Sequence, residues 1–431
     1  MTTARTSAIG GVRVVPVPDP IARDYLLLAL RLDQHVPGTV DGYLGPADLK
    51  AQVDMEQLRP AARLADDAAS LRARVPLEVD EADRRDWLDR QLLAIETLAR
   101  VQAGESIGYL EQVTRCFAHT PTPVPEVELD RTAHELDELV PGVGPLADRL
   151  AGEDDRWTVA PDRLRHVVEQ LVDRHRRRAC ELFQVPEGEA LSLSFVKGQP
   201  WSAYNWYEGG LRSRVDVNLD RPIDLPRLVG MLAHETYPGH HLEHVAKEHS
   251  LVEGKGRMEA SVLLVNTPEC LMSEGQAEAG RTFAVRPDEL AQLLVDVAPS
   301  AGLRLAEDRG ALVAAADRVA RMAPVRHELD AVRVNAALAL HVDGWPRERV
   351  VEYLVDMGRL TRERAEERLA FLEHPMWRLY VYAYPEGEAL VRRWLALVPE
   401  AERPVRFARL LHEQLTPPAL AHEVSLAGVG T

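Results

Sequence analysis

Cysteine is scarce in this chain. The three present, Cys116, Cys180 and Cys270, are odd in number and far apart, so they offer neither a disulfide framework nor a thiolate zinc cluster. That usage suits a reducing compartment. No apolar run approaches the roughly 20 residues a membrane span needs, and Met1 to Val17 lacks the continuous apolar centre of a signal peptide. The expectation is a cytoplasmic protein with no membrane partner. Positive charge is also in deficit. A formal net charge of −17 argues against nucleic acid or anionic membrane as the main partner. The acidic residues are spread through helical segments rather than gathered in a tail, a distribution that serves solubility. Aromatic residues make up only 5% of the chain, so any local concentration of them is informative.

What is there is mostly helical pattern. The 431 residues can bury a large core. They are read as a single unit, 1–431, with a helical half at 1–190 and a half at 191–431 that holds the candidate site. After an irregular lead over 1–19, helical periodicity begins at Ile21. A turn-rich connector covers 37–46. Trp87, Leu88, Leu92, Ile95 and Leu98 then form an apolar stripe at helical spacing. Similar patterns cover about 126–152 and 161–183, the second containing the basic run 174–178, read as a solvated helix face. The period changes to two at Leu191–Val196 and again at Val215–Leu219, which predicts strands. Between them lie Trp201, Tyr204, Trp206 and Tyr207, either a small core beneath a sheet or the wall of a cleft. An exposed strand edge there could pair with an extended substrate. Downstream, helices are expected over about 287–322, 325–342, 347–357, 361–373 and 387–396, with a break at Gly344-Trp345-Pro346.

Against this background one stretch stands out. His234-Glu235-Thr236-Tyr237-Pro238-Gly239-His240-His241-Leu242-Glu243-His244 gathers four of the chain's 15 histidines beside two carboxylates. Neutral imidazole is a metal ligand, and an adjacent carboxylate can take a proton from water. The pattern is close to the His-Glu-x-x-His zinc motif, in which two histidines one turn apart hold the ion. Here Pro238 occupies the fourth position. Asp224 as N-cap and Pro226 in the first turn predict a helix running into His234. Pro238 removes a backbone donor and Gly239 permits unusual dihedrals, so a kink or bulge is expected. On an undistorted helix His241 returns to the face of His234. A bulge that absorbs two residues presents His240 instead, and that is the reading adopted, with His241 as the alternative.

A catalytic zinc takes three protein ligands and keeps one position open. Thr267-Pro268-Glu269 is a strong helix start, and Glu274 on that helix is the best third ligand. Glu278, one turn further on, can hydrogen-bond a ligand histidine. Taken alone, such a Glu-x-x-x-Glu pair describes a solvated helix face.

Together these stretches resemble the DUF885 family of bacterial metallopeptidase-like proteins, whose His-Glu-x-x-Pro-Gly-His-His-Leu signature is matched from His234 to Leu242. The resemblance extends to Asn218, to Glu274-Gly275-Gln276-Ala277 against a Glu-Gly-Trp-Ala motif, to Leu340-His341 before Gly344-Trp345, and to Tyr384-Pro385-Glu386-Gly387. In the first half only the helical character and a Tyr-x-Gly-Pro-like turn near residue 43 correspond. Gln276 replaces the motif's tryptophan and Ala337 an acidic residue, departures that bear on the pocket wall. The resemblance implies a mainly α, long-helix zinc-peptidase-like fold with a small β-sheet beside the active-site cleft.

The function expected is zinc-dependent hydrolysis of a peptide or small amide substrate, with one Zn2+ per chain held by His234, His240 (or His241) and Glu274. Glu235 is the expected general base, and Tyr384 and His341 are candidates to stabilise the oxyanion. Arg212, Arg214, Arg257 and Arg378 could recognise a substrate carboxylate, with no ground for choosing among them. Two other readings stay open. One is a non-hydrolytic metalloenzyme acting on a small molecule. The other is a metal-free binding protein with a vestigial site.

Overall fold

The Trp87 stripe shows most directly how the pattern becomes structure. Ala82–Gln102 is one helix, with Leu88, Leu92 and Ile95 fully buried and Trp87 3% exposed. Each such side chain contributes about 1.5–3 kcal/mol of transfer free energy. The helix pairs with Ala61–Glu78 and packs on Pro20–Asp33. In the computed structural model, residues 16–199, 201–220 and 222–428 are described, so most of the irregular lead at 1–19 lies outside them. Helices dominate, with 65% helix and 7% strand, and the fold is mainly α with two small sheets. No helix among the described residues is long and apolar enough to cross a membrane.

Among the described residues, two apolar clusters form the interior. The smaller draws on residues 21–99 together with Val252, Met258, Val262 and Leu264. The larger runs from Tyr109 to Val424 and includes the helices that carry the histidines. In the first sheet β1 (Val40–Tyr43) runs antiparallel to β5 (Val262–Leu264). In the second, β2 (Ala190–Val196) is parallel to β4 (Arg212–Asn218), and β4 is antiparallel to β3 (Ala203–Tyr207), in the order β2-β4-β3. The strand β3, not evident from alternation, is therefore a sheet edge.

Several long helical patterns are interrupted. The pattern at 126–152 is two helices, Glu126–Leu139 and Leu146–Asp155, because Pro141-Gly142-Val143-Gly144-Pro145 cannot continue either of them. The helix expected over 287–322 splits into Leu290–Val297 and Arg309–Leu329, with Gly302 at φ +70° after Pro299. Pro324 does not start a new helix. It lies inside Arg309–Leu329, and the break comes at Asp330-Ala331, before Val332–His341. The basic run at 174–178 is only partly a solvated face, since His175 within it is fully buried.

Candidate metal centre

Three helices bring the candidate ligands together. The first, Leu225–Glu235, is capped by Asp224, which accepts from the Arg227 amide at 2.9 Å, and it ends on His234 and Glu235. The second, His240–Lys247, begins after a four-residue break at 236–239 that contains a cis Tyr237–Pro238 bond. Gly239 is required there. Its amide bonds the Ala233 carbonyl at 3.1 Å, and a Cβ in its place would lie 1.8 Å from the His234 carbonyl oxygen. The break absorbs two residues, so His240 and not His241 meets His234. The third helix, Pro268–Ala284, is capped by Thr267 and carries Glu274 and Glu278.

The Nε2 atoms of His234 and His240 face each other at 3.1 Å. Glu274 Oε2 is 3.3 Å from His234 Nε2, and Glu274 Oε1 is 3.5 Å from His240 Nε2. All three side chains are largely buried, and Glu274 Oε2 makes no hydrogen bond among the described residues. Zinc bound tetrahedrally at 2.0–2.2 Å sets its ligand atoms about 3.3 Å apart. The His234–His240 separation and the distance from each ring to one oxygen of the Glu274 carboxylate are close to that spacing, and an orphaned buried carboxylate oxygen beside two imidazole nitrogens is a donor set for such an ion.

Carboxylates also orient the two rings from outside. His234 Nδ1 lies 3.2 Å from Glu278 Oε1, and Glu278 is itself held by Arg281 at 2.6 Å. His240 Nδ1 lies 3.3 Å from Ser273 Oγ and 3.6 Å from Glu243 Oε2, and Ser273 donates to Glu243 at 2.6 Å. With an ion at the centre, these contacts would favour the proton of each ring on Nδ1 and leave Nε2 for the ion. Burial opposes charge on His234, but the Glu274 and Glu278 carboxylates outweigh it and raise the ring to about 9. For Glu274 burial favours the neutral acid, yet His240 and His234 hold it down at about 2. Burial raises Glu235, its neighbour Glu274 adds to that, and the two histidines oppose it. Asn205 Nδ2 donates to the Glu235 carbonyl at 2.7 Å and fixes the end of that helix.

Glu235, Tyr384 and the three donors all line one cavity of about 350 Å³. Tyr384 stands with its ring 6.1 Å from that of His234. Of the four aromatics singled out by composition, Trp201, Tyr204 and Tyr207 form cavity wall, whereas Trp206 is 38% exposed and bonds Asp216. Asn218 ties the loop before β3 in place by donating to the Gln199 and Trp201 carbonyls at 2.8 and 2.9 Å.

Two expected site residues lie elsewhere. His241 is fully buried on a different face of its helix from His240, bonded to Ser213 at 2.8 Å and Glu189 at 2.9 Å, because the break displaces the helical register. His341 ends its helix with Nε2 on the Leu372 carbonyl at 2.8 Å and its ring stacked on Tyr109, outside the cavity. Gln276 and Ala337 are both buried and also lie outside the lining, so neither departure alters the cavity wall. Arg257 is taken by Asp83 and Gln414, and Arg378 by Gln112. Tyr380 was not anticipated. Its hydroxyl donates to Glu274 Oε1, and its place four residues before Tyr384 was the available signal.

No family model and no curated protein matches the chain. Among solved structures, one from Colwellia psychrerythraea, described provisionally as a lipoprotein, superposes with a TM-score of 0.51 at 12% identity, covering 96% of this chain and 77% of that one. What it shares with this chain is the fold. A second, from Shewanella oneidensis and described as of unknown function, gives 0.47 at 11% identity, covering 94% and 82%.

Proposed function

We propose that the protein is a zinc-dependent hydrolase of peptide or other amide bonds. The observation that carries this reading is the triangle of His234 Nε2, His240 Nε2 and Glu274, with edges of 3.1 to 3.5 Å, opening on the same cavity as Glu235. The DUF885-like motifs supply these same residues. When bound, zinc supplies Lewis acidity at that centre and acidifies water towards neutrality. Glu235, raised by burial and anchored through Asn205, takes the proton of the attacking water and returns it to the leaving amine. Tyr384 is held protonated by burial and is the available hydroxyl donor to the developing oxyanion. Tyr380, committed to Glu274, positions that carboxylate.

The test is metal content and amide hydrolysis of the purified chain. One zinc per chain is expected, lost in His234→Ala and retained in Glu235→Gln, with Glu235→Gln slowing hydrolysis by about 10²- to 10⁴-fold. A chain that takes up no metal under any loading condition sinks the proposal. Iron in place of zinc shifts it to non-hydrolytic chemistry.

A further inference from the structure

The cavity beside the candidate metal centre is rich in carboxylates and poor in Lys and Arg. Six carboxylates line it, those of Asp41, Glu235, Glu243, Glu248, Glu269 and Glu274; among the described lining residues the sole Lys or Arg is Lys247. Lys247 is already engaged by Glu243 at 2.7 Å and by Glu269. Glu248 is occupied by Tyr207 and by the Gly210 and Leu211 amides. Glu274 belongs to the centre, and Glu235 serves as base. Asp41 is left over.

Asp41 is placed in an unusual way. In the β1–β5 ladder Val40 opposes Leu264 and Gly42 opposes Leu263, so Asp41 is the extra residue of a β-bulge. Bulges of this kind re-aim a side chain, commonly beside a site. The Asp41 side chain is exposed, and it lines the cavity. The Tyr204 hydroxyl donates to its Oδ1, and no Lys or Arg pairs with it among the described residues. A second acceptor is unused on the same wall. Asn205 is 8% exposed and lines the cavity, its Nδ2 donates to the Glu235 carbonyl, and its Oδ1 has no partner among the described residues. Two acceptors without a Lys or Arg partner suit a ligand that brings several N–H donors and a positive charge. Much of the remaining lining is apolar, from Leu44, Leu251, Val262, Leu264, Phe371 and Trp377.

We propose that this cavity takes substrates carrying a protonated amino group beside an apolar side chain, with Asp41 as the counter-ion of the ammonium. The proposal rests on the hydrolase reading only in placing an amide at the metal centre. Asp41 lines the same cavity as His234, His240 and Glu274, so the amino group would share that cavity with the bond cleaved.

Calorimetry on the full-length, zinc-loaded Glu235→Gln chain at pH 7 tests this without turnover. The two ligands are L-leucinamide and 2-hydroxy-4-methylpentanamide, in which a hydroxyl replaces the ammonium. Leucinamide is expected to bind at least about tenfold more tightly, the scale of one hydrogen bond to a charged group. Adding Asp41→Asn should abolish that preference and leave the hydroxy ligand unchanged, whereas Tyr204→Phe, which keeps the charge, should retain it. Equal affinities, no binding of either ligand, or a preference that survives Asp41→Asn overturns the proposal. A chain that binds zinc and cleaves amino-blocked peptides as fast as free ones refutes amine recognition and leaves the hydrolase reading intact. One that takes no zinc yet binds leucinamide through Asp41 refutes only the hydrolase reading.

Discussion

Replacing Gly275 by alanine should damage the candidate metal centre without touching a candidate ligand. Gly275 follows Glu274 on Pro268–Ala284, where that helix crosses Ala383–Leu395 at Gly387. A Cβ at 275 would sit 2.3 Å from the Gly387 carbonyl carbon, 2.5 Å from its oxygen and 2.7 Å from its Cα. Carbon atoms rest about 3.5–4.0 Å apart, so the two backbones must separate by roughly 1 Å. Backbone yields less readily than a side chain, and overpacking of this kind costs about 1–3 kcal/mol. A ligand set tolerates only about ±0.2 Å, and the displaced helix carries both Glu274 and Glu278. Zinc affinity should therefore fall by at least about tenfold, the low end for disturbing groups that orient metal ligands. The control is Gly152→Ala, also within a helix, where a Cβ meets nothing within 4 Å. That variant should be neutral, or more stable by up to about 1 kcal/mol. Thermal melting and competition for zinc with a chromophoric chelator measure both quantities. If Gly275→Ala melts and binds zinc like Gly152→Ala, close helix packing does not position Glu274 and the reasoning fails.

Three further outcomes follow from the placement of histidines. His241→Ala should keep its zinc but lose about 1–3 kcal/mol of stability in urea unfolding, because it leaves the buried Glu189 carboxylate short of a partner; loss of zinc would return His241 to the ligand set. His341→Ala should leave zinc content and hydrolysis rate unchanged, since the ring caps Leu372 outside the cavity. His175 is fully buried with neither ring nitrogen bonded, and burial, aided by Arg174, lowers it to about 3. The folded state thus binds that proton later than the unfolded state does. The associated stability is fully present above about pH 6.5 and is lost as pH falls towards 3, on the order of 5 kcal/mol in all. His175→Leu should flatten the dependence of the urea midpoint on pH between 6.5 and 4, and an unchanged slope would show that the ring is not held neutral.

Some of this was legible in the sequence because the cause is local. The Trp87 stripe, the Asp224 and Thr267 caps and the strand alternation at 191–196 each depend on neighbours within a few residues, and each became the expected element. His240 was accessible to the same reasoning, because the insertion at 236–239 is itself a sequence feature. His341 was misplaced because nothing in its flanking residues states which wall its helix faces. Asp41 could not be found at all. Its orientation comes from a bulge, and a bulge is a relation between β1 and a strand more than 200 residues later.

The motifs at Glu274-Gly275 and Pro385-Glu386-Gly387 acquire a physical meaning only when taken as a pair. Each glycine, taken singly, reads as a helix weakened by about 1 kcal/mol relative to alanine. In the fold they are one contact, since a Cβ at 387 would lie 2.3 Å from the Leu271 carbonyl oxygen and 2.9 Å from Gly275 Cα. The same crossing that brings Gly387 against Gly275 sets Tyr384, three residues earlier, along the cavity that Glu274 lines. It also leaves Glu386 to accept from His119 at 2.8 Å and from the Thr122 amide at 3.0 Å, tying the outer side of that helix to the N-terminal region. The local cost of two glycines in helices is thus offset by an approach that no larger residue allows. The Glu386 hydrogen bonds help to hold that approach, so that the candidate carboxylate ligand and the cavity tyrosine are set together.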